Sequence, residues 1–271
     1  MPELPEVETT RRGIEPHLCE QTITRTLVRN RKLRWPIPAN LATELQQQII
    51  HSVRRRGKYL LIDFERGTLI IHLGMSGSLR ILPVDSAAEK HDHFELQLSS
   101  GQCLRLRDPR RFGCVLWTRR DPFKHKLLAS LGQEPLLKEF DGDYLYARSR
   151  ARKQAVKSFI MDSKIVVGVG NIYASESLFL AGIHPQRAAG RISEKRYQQL
   201  VSAIKKVLQA AIRQGGTSLR DFTASDGSPG YFKQQLNVYG RAGEPCPRCG
   251  RPIRQQTIGQ RASYYCPHCQ K

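Results

Sequence analysis

Apolar and polar positions change their period along this chain, and the change divides it in two. In residues 1–20, Val7, Ile14 and Leu18 recur at roughly helical spacing behind an acidic, proline-bearing start. Gly13 and Pro16 weaken the pattern, so it predicts one helix with a frayed end. From 22 to 118 the texture becomes short apolar runs broken by turn residues, at 22–28, 59–64, 68–73, 77–82, 94–98, 102–107 and 115–118. Runs of this length and spacing predict antiparallel strands in a sandwich or barrel. Glu65-Arg66-Gly67 and Ser99-Ser100-Gly101 read as hairpin turns, and 40–50 as a helix between two strands.

Beyond a turn-rich stretch at 132–143, read as a hinge, the period becomes helical. A basic helix is predicted over 150–161 and another over 172–180. The strongest helical pattern is 193–214, where Leu200, Val201, Ile204, Val207, Leu208, Ala211 and Ile212 fall on one face. Ser193 suits its N-cap and Gly215-Gly216 its stop. Residues 217–231 have no period and read as a loop. The expected fold is α+β in two domains. An antiparallel β-sandwich with flanking helices (1–133) is followed by a linker (134–149). A helical domain (150–236) with a helix–turn–helix-type junction and a zinc-ribbon hairpin (237–271) completes the chain.

Composition adds a partner. A formal net charge of +20, from 44 Lys+Arg against 24 Asp+Glu, points to a polyanion. No apolar run approaches the ~20 residues of a membrane span, and the start lacks a signal-peptide pattern, so the expected location is cytoplasmic. Cys19, Cys103 and Cys114 stand singly and read as small buried hydrophobes. The other four form two knuckles, Cys246-Pro247-Arg248-Cys249 and Cys266-Pro267-His268-Cys269, with sixteen residues between. That spacing fits one tetrahedral, coordinatively closed and therefore structural zinc better than disulfides in a reducing compartment. His268 is the alternative ligand. Arg251, Arg254 and Arg261 make the intervening hairpin basic. Gly168-Val169-Gly170-Asn171 lacks the third glycine of a dinucleotide fingerprint. It reads as a tight turn whose backbone amides, with Asn171, present donors to a phosphate.

The first residues carry candidate chemistry of another kind. Removal of Met1 would make Pro2 an N-terminal secondary amine. An α-amino group titrates near ~7.7–8.0 against ~10.4 for lysine, so roughly a tenth is free base at neutral pH. Such an amine can form Schiff bases, with Glu3 beside it to move protons.

Taken together, Pro2-Glu3-Leu4-Pro5-Glu6-Val7-Glu8, Lys58, His72-Leu73-Gly74-Met75-Ser76-Gly77, Asp108-Pro109-Arg110-Arg111-Phe112-Gly113, Gly168-Val169-Gly170-Asn171-Ile172-Tyr173 and the cysteine quartet resemble the bacterial formamidopyrimidine-DNA glycosylases, in the family's order. The resemblance implies a bifunctional base-excision enzyme that removes 8-oxoguanine and formamidopyrimidines from double-stranded DNA and also acts at abasic sites. It implies Pro2 as nucleophile at C1′, Glu3 as proton relay, Glu6 as a supporting acid and Lys58 as a catalytic-site phosphate contact. Asn171 and Arg261 would grip backbone phosphates, with His91, Arg110, Lys157 and Tyr239 as further DNA contacts. Met75, Arg110 and Phe112 would fill the stack left by the flipped nucleotide, and the loop with Thr217, Ser218 and Tyr231 would cover the lesion. It further implies one structural Zn2+, a monomer, and a place at the bacterial nucleoid. Two other readings remain: an endonuclease VIII-like enzyme for oxidised pyrimidines, and a non-enzymatic zinc-ribbon protein that binds nucleic acid.

Overall fold

The structure is a computed structural model, and it describes residues 2–215 and 236–271. The chain divides into two compact units at Ala129–Ser130.

The first unit starts with helix α1 (Leu4–Leu18), followed by strand β1 (Ile23–Val28), a short helix α2 (Leu41–Leu45) and strands β2 (Ile50–Arg56), β3 (Tyr59–Phe64), β4 (Gly67–His72), β5 (Ser78–Pro83), β6 (Asp92–Leu98), β7 (Gln102–Arg107) and β8 (Cys114–Thr118). The strands form two four-stranded antiparallel sheets, β1-β6-β7-β5 and β2-β3-β4-β8. The period of two decides which side chains face inward. Leu60 and Ile62 of β3, Leu69 and Ile71 of β4, Leu96 of β6, and Leu104 and Leu106 of β7 share one core with Val7, Ile14 and Leu18 of α1. The expected antiparallel two-sheet arrangement is therefore present, with α1 built into its core.

One expectation for this unit is corrected. The helix read over 40–50 is only α2, and Ile50 already opens β2. The strand was hidden because His-Ser-Val-Arg-Arg-Arg has little apolar content; its arginines are held by acids, Arg54 on Asp63 and Arg55 on Glu8. Charge is also buried on β7, where Arg105, 1% exposed, is held by Glu95 at 2.8 Å.

The second unit contains helices α3 (Gly142–Ser149), α4 (Val156–Met161), α5 (Asn171–Leu180) and α6 (Glu194–Arg213), then strands β9 (Arg254–Ile258) and β10 (Arg261–Tyr265). The stretch read as a linker holds α3, whose Leu145 is in the core and whose first turn is capped by Asp141 accepting from Tyr144 N–H at 2.7 Å. The single helix read over 150–161 shrinks to α4. Arg150 ends α3, and Ala151 turns the chain at φ +60°. α6 buries Tyr197, Leu200, Val201, Ile204, Leu208, Ala211 and Ile212, nearly the face its period predicts, with Ser193 at its N-cap. Gly259 and Gln260 join β9 to β10 with φ of +55° and +62°, the paired left-handed turn that matches the twist of a hairpin. Among the described residues no helix is long and apolar enough to cross a membrane.

Candidate active site and nucleic-acid interface

In the first unit, Pro2 and Glu3 lead directly into α1. Glu3 is the N-cap residue, and its backbone N–H donates to Glu6 Oε2 at 2.8 Å as part of a capping box. Pro2, Glu3 and Glu6 are all buried. A capping box satisfies N–H groups that a helix start leaves without partners, so the two acids rigidify the backbone next to Pro2. Glu6 thereby supports the position of Glu3, and Pro5 sits within the first turn, where its missing N–H costs nothing.

Lys58 lies in a two-residue turn, because Arg56 pairs with Tyr59 across it and Gly57 takes φ +59°. A side-chain bridge ties this turn to α1. Arg55 Nε donates to Glu8 Oε2 at 3.1 Å while its Nη1 donates to the Gly57 carbonyl at 3.0 Å. Glu8 also accepts from Arg11 at 3.1 Å and Arg12 at 2.9 Å. Burial pushes the Glu8 carboxyl up, but the bonds and charges of Arg11, Arg12 and Arg55 outweigh it and hold the pKa below the usual carboxylate range. The α1 helix and the Lys58 turn are thus fastened through one carboxylate. Nothing in the local periodicity marks Glu8 and Arg55; the family motif includes Glu8 without announcing this role.

Met75, Arg110 and Phe112 occupy two turns that are packed on each other. Gly74, at φ +64°, leaves no room for a side chain, since a Cβ there would lie 2.5 Å from Gly113 N and Phe112 C. Asp108, fully buried, accepts from Gly113 N–H at 2.8 Å and from Ser76 Oγ at 3.2 Å, so one carboxylate ties both turns. The Asp108 N–H in turn donates to the His91 carbonyl at 3.0 Å. On this base Phe112 projects with 43% exposure, and the Arg110 guanidinium lies 5.0 Å from its ring centroid. Met75 is half-buried. A large aromatic left this exposed on a braced turn lacks the burial expected of core packing.

His72 and Cys114 pair across β4 and β8, and such neighbours could be mistaken for a thiol–imidazole dyad. Burial pushes the Cys114 thiol up to about 12, which leaves no thiolate at neutral pH.

In the second unit, Gly168 at φ +82° turns the chain so that Asn171 begins α5. Asn171 Nδ2 donates to the Ala262 carbonyl at 3.0 Å, next to exposed Arg261, so residues ninety apart meet at the hairpin. The Asn171 Oδ1 atom has no hydrogen-bond partner among the described residues. Lys157, expected as a DNA contact, lies at the same hairpin. It is 1% exposed, and its Nζ donates to Ala262 O at 3.0 Å and Ser263 Oγ at 2.7 Å, which fastens β10 to α4. Tyr239 stacks edge-on against Tyr264 at 5.1 Å. Its N–H donates to Glu176 Oε1 at 2.9 Å, and the same buried carboxylate accepts from Val238 N–H and from Asn237 N and Nδ2. Glu176 escaped the sequence reading, although an acid in the apolar helix Asn-Ile-Tyr-Ala-Ser-Glu-Ser-Leu-Phe-Leu was the available signal. Thr217, Ser218 and Tyr231 lie outside the described residues.

Cys246, Cys249, Cys266 and Cys269 bring their sulfurs within 4.8 Å of one another. The Cys246–Cys269 and Cys249–Cys266 sulfur separations are 3.9 and 3.5 Å. A tetrahedral zinc with bonds of ~2.3 Å needs sulfurs about 3.8 Å apart, so the quartet fits the ion. His268 is exposed and outside the sulfur set. The knuckles dock on α5, with Arg248 lying 4.6 Å from the Phe179 ring centroid and donating to Leu180 O at 3.0 Å.

Comparison with known proteins accounts for nearly the whole chain. Residues 1–115 match the formamidopyrimidine-DNA glycosylase N-terminal domain, 131–223 the H2TH domain of the same enzymes, and 243–271 a zinc finger found in FPG and IleRS. Formamidopyrimidine-DNA glycosylases of Stutzerimonas stutzeri and Syntrophotalea carbinolica are 61% and 60% identical, each over 100% of both chains. Among solved structures, a complex of Lactococcus lactis Fpg with abasic-site DNA superposes with a TM-score of 0.91 at 34% identity, covering 99% of each chain. The MutM (Fpg) protein of Thermus thermophilus gives 0.89 at 36%, covering 99% of this chain and 98% of that one. With matching modules in matching order and full-length identity of this degree, the chain belongs to the formamidopyrimidine-DNA glycosylase family, the base-excision DNA glycosylases that carry one structural zinc.

Proposed function

We propose that this protein removes oxidised purines, 8-oxoguanine and formamidopyrimidines, from duplex DNA and then cleaves the strand, with Pro2 as the covalent catalyst. The observation that carries the reading is Pro2-Glu3 set immediately before α1, with the backbone fixed by the Glu3–Glu6 capping box. The free amine of Pro2 attacks C1′ and the N-glycosidic bond breaks, its electron pair leaving with the base, which takes up a proton. The bound amine loses its proton and the C1′–O4′ bond breaks, its electron pair leaving on O4′, which is protonated, so the sugar ring opens to an iminium. This electron sink acidifies the C2′ proton, and the 3′ phosphate leaves by β-elimination and the 5′ phosphate by δ-elimination. Glu3 moves protons during ring opening and these eliminations. This chemistry requires that Met1 be removed.

Lys58, Asn171, Arg261, Tyr239 and His91 contact the DNA backbone around the flipped nucleotide. Met75, Arg110 and Phe112 occupy the vacated stack, which offsets part of the few kcal/mol that base extrusion costs. Lys157 serves the same interface indirectly, by holding the β10 strand that carries Arg261. The protein acts as a monomer on damaged or abasic duplex DNA, and its net charge favours residence on the nucleoid.

The competing branch of the family chemistry acts on oxidised pyrimidines. Single-turnover excision from 8-oxoguanine opposite cytosine, set against thymine glycol in the same duplex, separates the two. Faster excision of 8-oxoguanine is expected, and a preference for thymine glycol would overturn the purine assignment. A zinc-ribbon protein without enzymatic activity would nick neither duplex.

A further inference from the structure

His72 stands where three parts of the first unit meet. It ends β4, pairs with Tyr59 at the Lys58 turn and with Cys114 after the Phe112 turn, and leads into the Met75 turn. Its ring packs 4.7 Å from that of Tyr59. Its Nδ1 accepts a hydrogen bond from Gly74 N–H at 2.9 Å. An acceptor at Nδ1 cannot carry a proton, so the neutral ring has its hydrogen on Nε2. Gly74 is the residue with no space for a Cβ against Gly113 and Phe112, so a bond to its N–H fixes the contact between the two wedge-bearing turns. Burial, then the positive charges of Lys58 and Arg34, push the imidazole down to about 4, which keeps Nδ1 an acceptor at neutral pH.

We infer that His72 is a positioning residue that sets the Met75 turn against the Phe112 turn through its Nδ1 acceptor. The inference rests on the proposed stack-filling role of Met75. It assigns a function to one specific ring nitrogen, and the two amide side chains separate the nitrogens. An asparagine places its Oδ1 near the position of Nδ1, whereas a glutamine places its terminal group near Nε2.

The test compares His72→Asn, His72→Gln and His72→Ala in the full-length zinc-loaded protein. Single-turnover excision from an 8-oxoguanine duplex is the first readout, and hydrogen exchange of the 73–77 segment the second. His72→Ala and His72→Gln are expected to slow excision about tenfold, on the scale of one lost hydrogen bond, and to lose protection in 73–77. His72→Asn should stay within about threefold of the parent and keep the protection. Rescue by glutamine with failure of asparagine, or equal failure of all three, would overturn the assignment, as would parental behaviour of His72→Ala. Met75→Ala, run alongside, keeps the two claims apart. If it excises at the parental rate, the stack-filling role fails, while the exchange pattern still reports on the His72–Gly74 bond. If it is slow and His72→Asn behaves as His72→Ala, the positioning claim alone falls.

Discussion

The two units hold their proposed functional groups by different physical means. In the first, turns that carry Lys58, Met75 and Phe112 are fixed by protein groups alone: Glu8 with Arg55, and Asp108 across the Met75 and Phe112 turns. In the second, the strand that carries Arg261 belongs to a hairpin whose own apolar core is small, built around Phe179, Val238, Cys246, Ile253 and Cys266. Lys157 and Asn171 pin that strand at Ala262, and the cysteine quartet closes it at the other end. A small hairpin cannot bury enough apolar area to fold by itself, so a metal contributes what a core would. The β-sandwich has no such need. Rigidity of the turns proposed to serve the chemistry and rigidity of the hairpin proposed to grip phosphate should therefore fail under different insults.

Removal of the metal should sharpen this contrast most. Chelation, or Cys266→Ala, should unfold the hairpin and weaken binding to damaged duplex by about a hundredfold or more, given that structural zinc sites supply of order 10 kcal/mol to folding. The β-sheet circular dichroism of the first unit should persist. Retention of parental DNA affinity in the metal-free protein would break the comparison.

Next in size are the two buried carboxylates that act as clamps, one in each unit. Glu176→Ala leaves the N–H groups of Val238 and Tyr239 without their acceptor, and Asp108→Ala does the same to Gly113 N–H. Each orphaned donor costs about 1–3 kcal/mol, so Glu176→Ala should destabilise more than Asp108→Ala in denaturant melts. Their effects on function should also differ. Loss of Glu176 should weaken DNA binding through Tyr239, while loss of Asp108 should slow base excision with a smaller change in affinity.

Acid gives a milder test within the first unit. The Glu8 pKa is depressed in the folded state, so its stabilising contribution is complete above the ordinary glutamate range near ~4.3 and disappears as pH falls through the depressed value. His72 is also depressed, to about 4, and its contribution fades earlier, as pH drops from the unfolded value near ~6.5 toward that figure. Urea melts at stepped pH should show stability falling between those limits in the parent and a flatter response in His72→Asn. Phe112→Ala is expected to have the smallest effect on stability, because the ring is already 43% exposed, while excision slows.

What could be read in advance followed the strength of the local signal. The strands of the first unit are legible as short apolar runs broken by turn residues, and α6 because its period of 3.6 runs through most of its length. β2 was not, because three consecutive arginines mask a strand whose charges are neutralised by partners distant in sequence. α3 hid in a turn-rich stretch, and its length is decided by an Asp141 cap and by packing on α6. Motif singled out Pro2 and Asn171, the residues proposed as nucleophile and phosphate contact, and the cysteine quartet was visible through its spacing. Glu176 and the Arg55–Glu8 bridge were not, since their meaning lies in contacts between elements. Lys157, marked as a DNA contact by the family resemblance, has its ammonium bonded to the Ala262 carbonyl, a tie between elements that local sequence does not show.

The central claim is that the amine of Pro2 is the nucleophile. The most direct measurement is borohydride trapping on a duplex bearing 8-oxoguanine, with intact-mass analysis of the protein's N-terminus. Protein with a free Pro2 terminus should yield a covalent protein–DNA adduct that maps to Pro2, and protein that retains Met1 or carries a blocked terminus should yield none. A full yield of adduct from the blocked protein would contradict the claim.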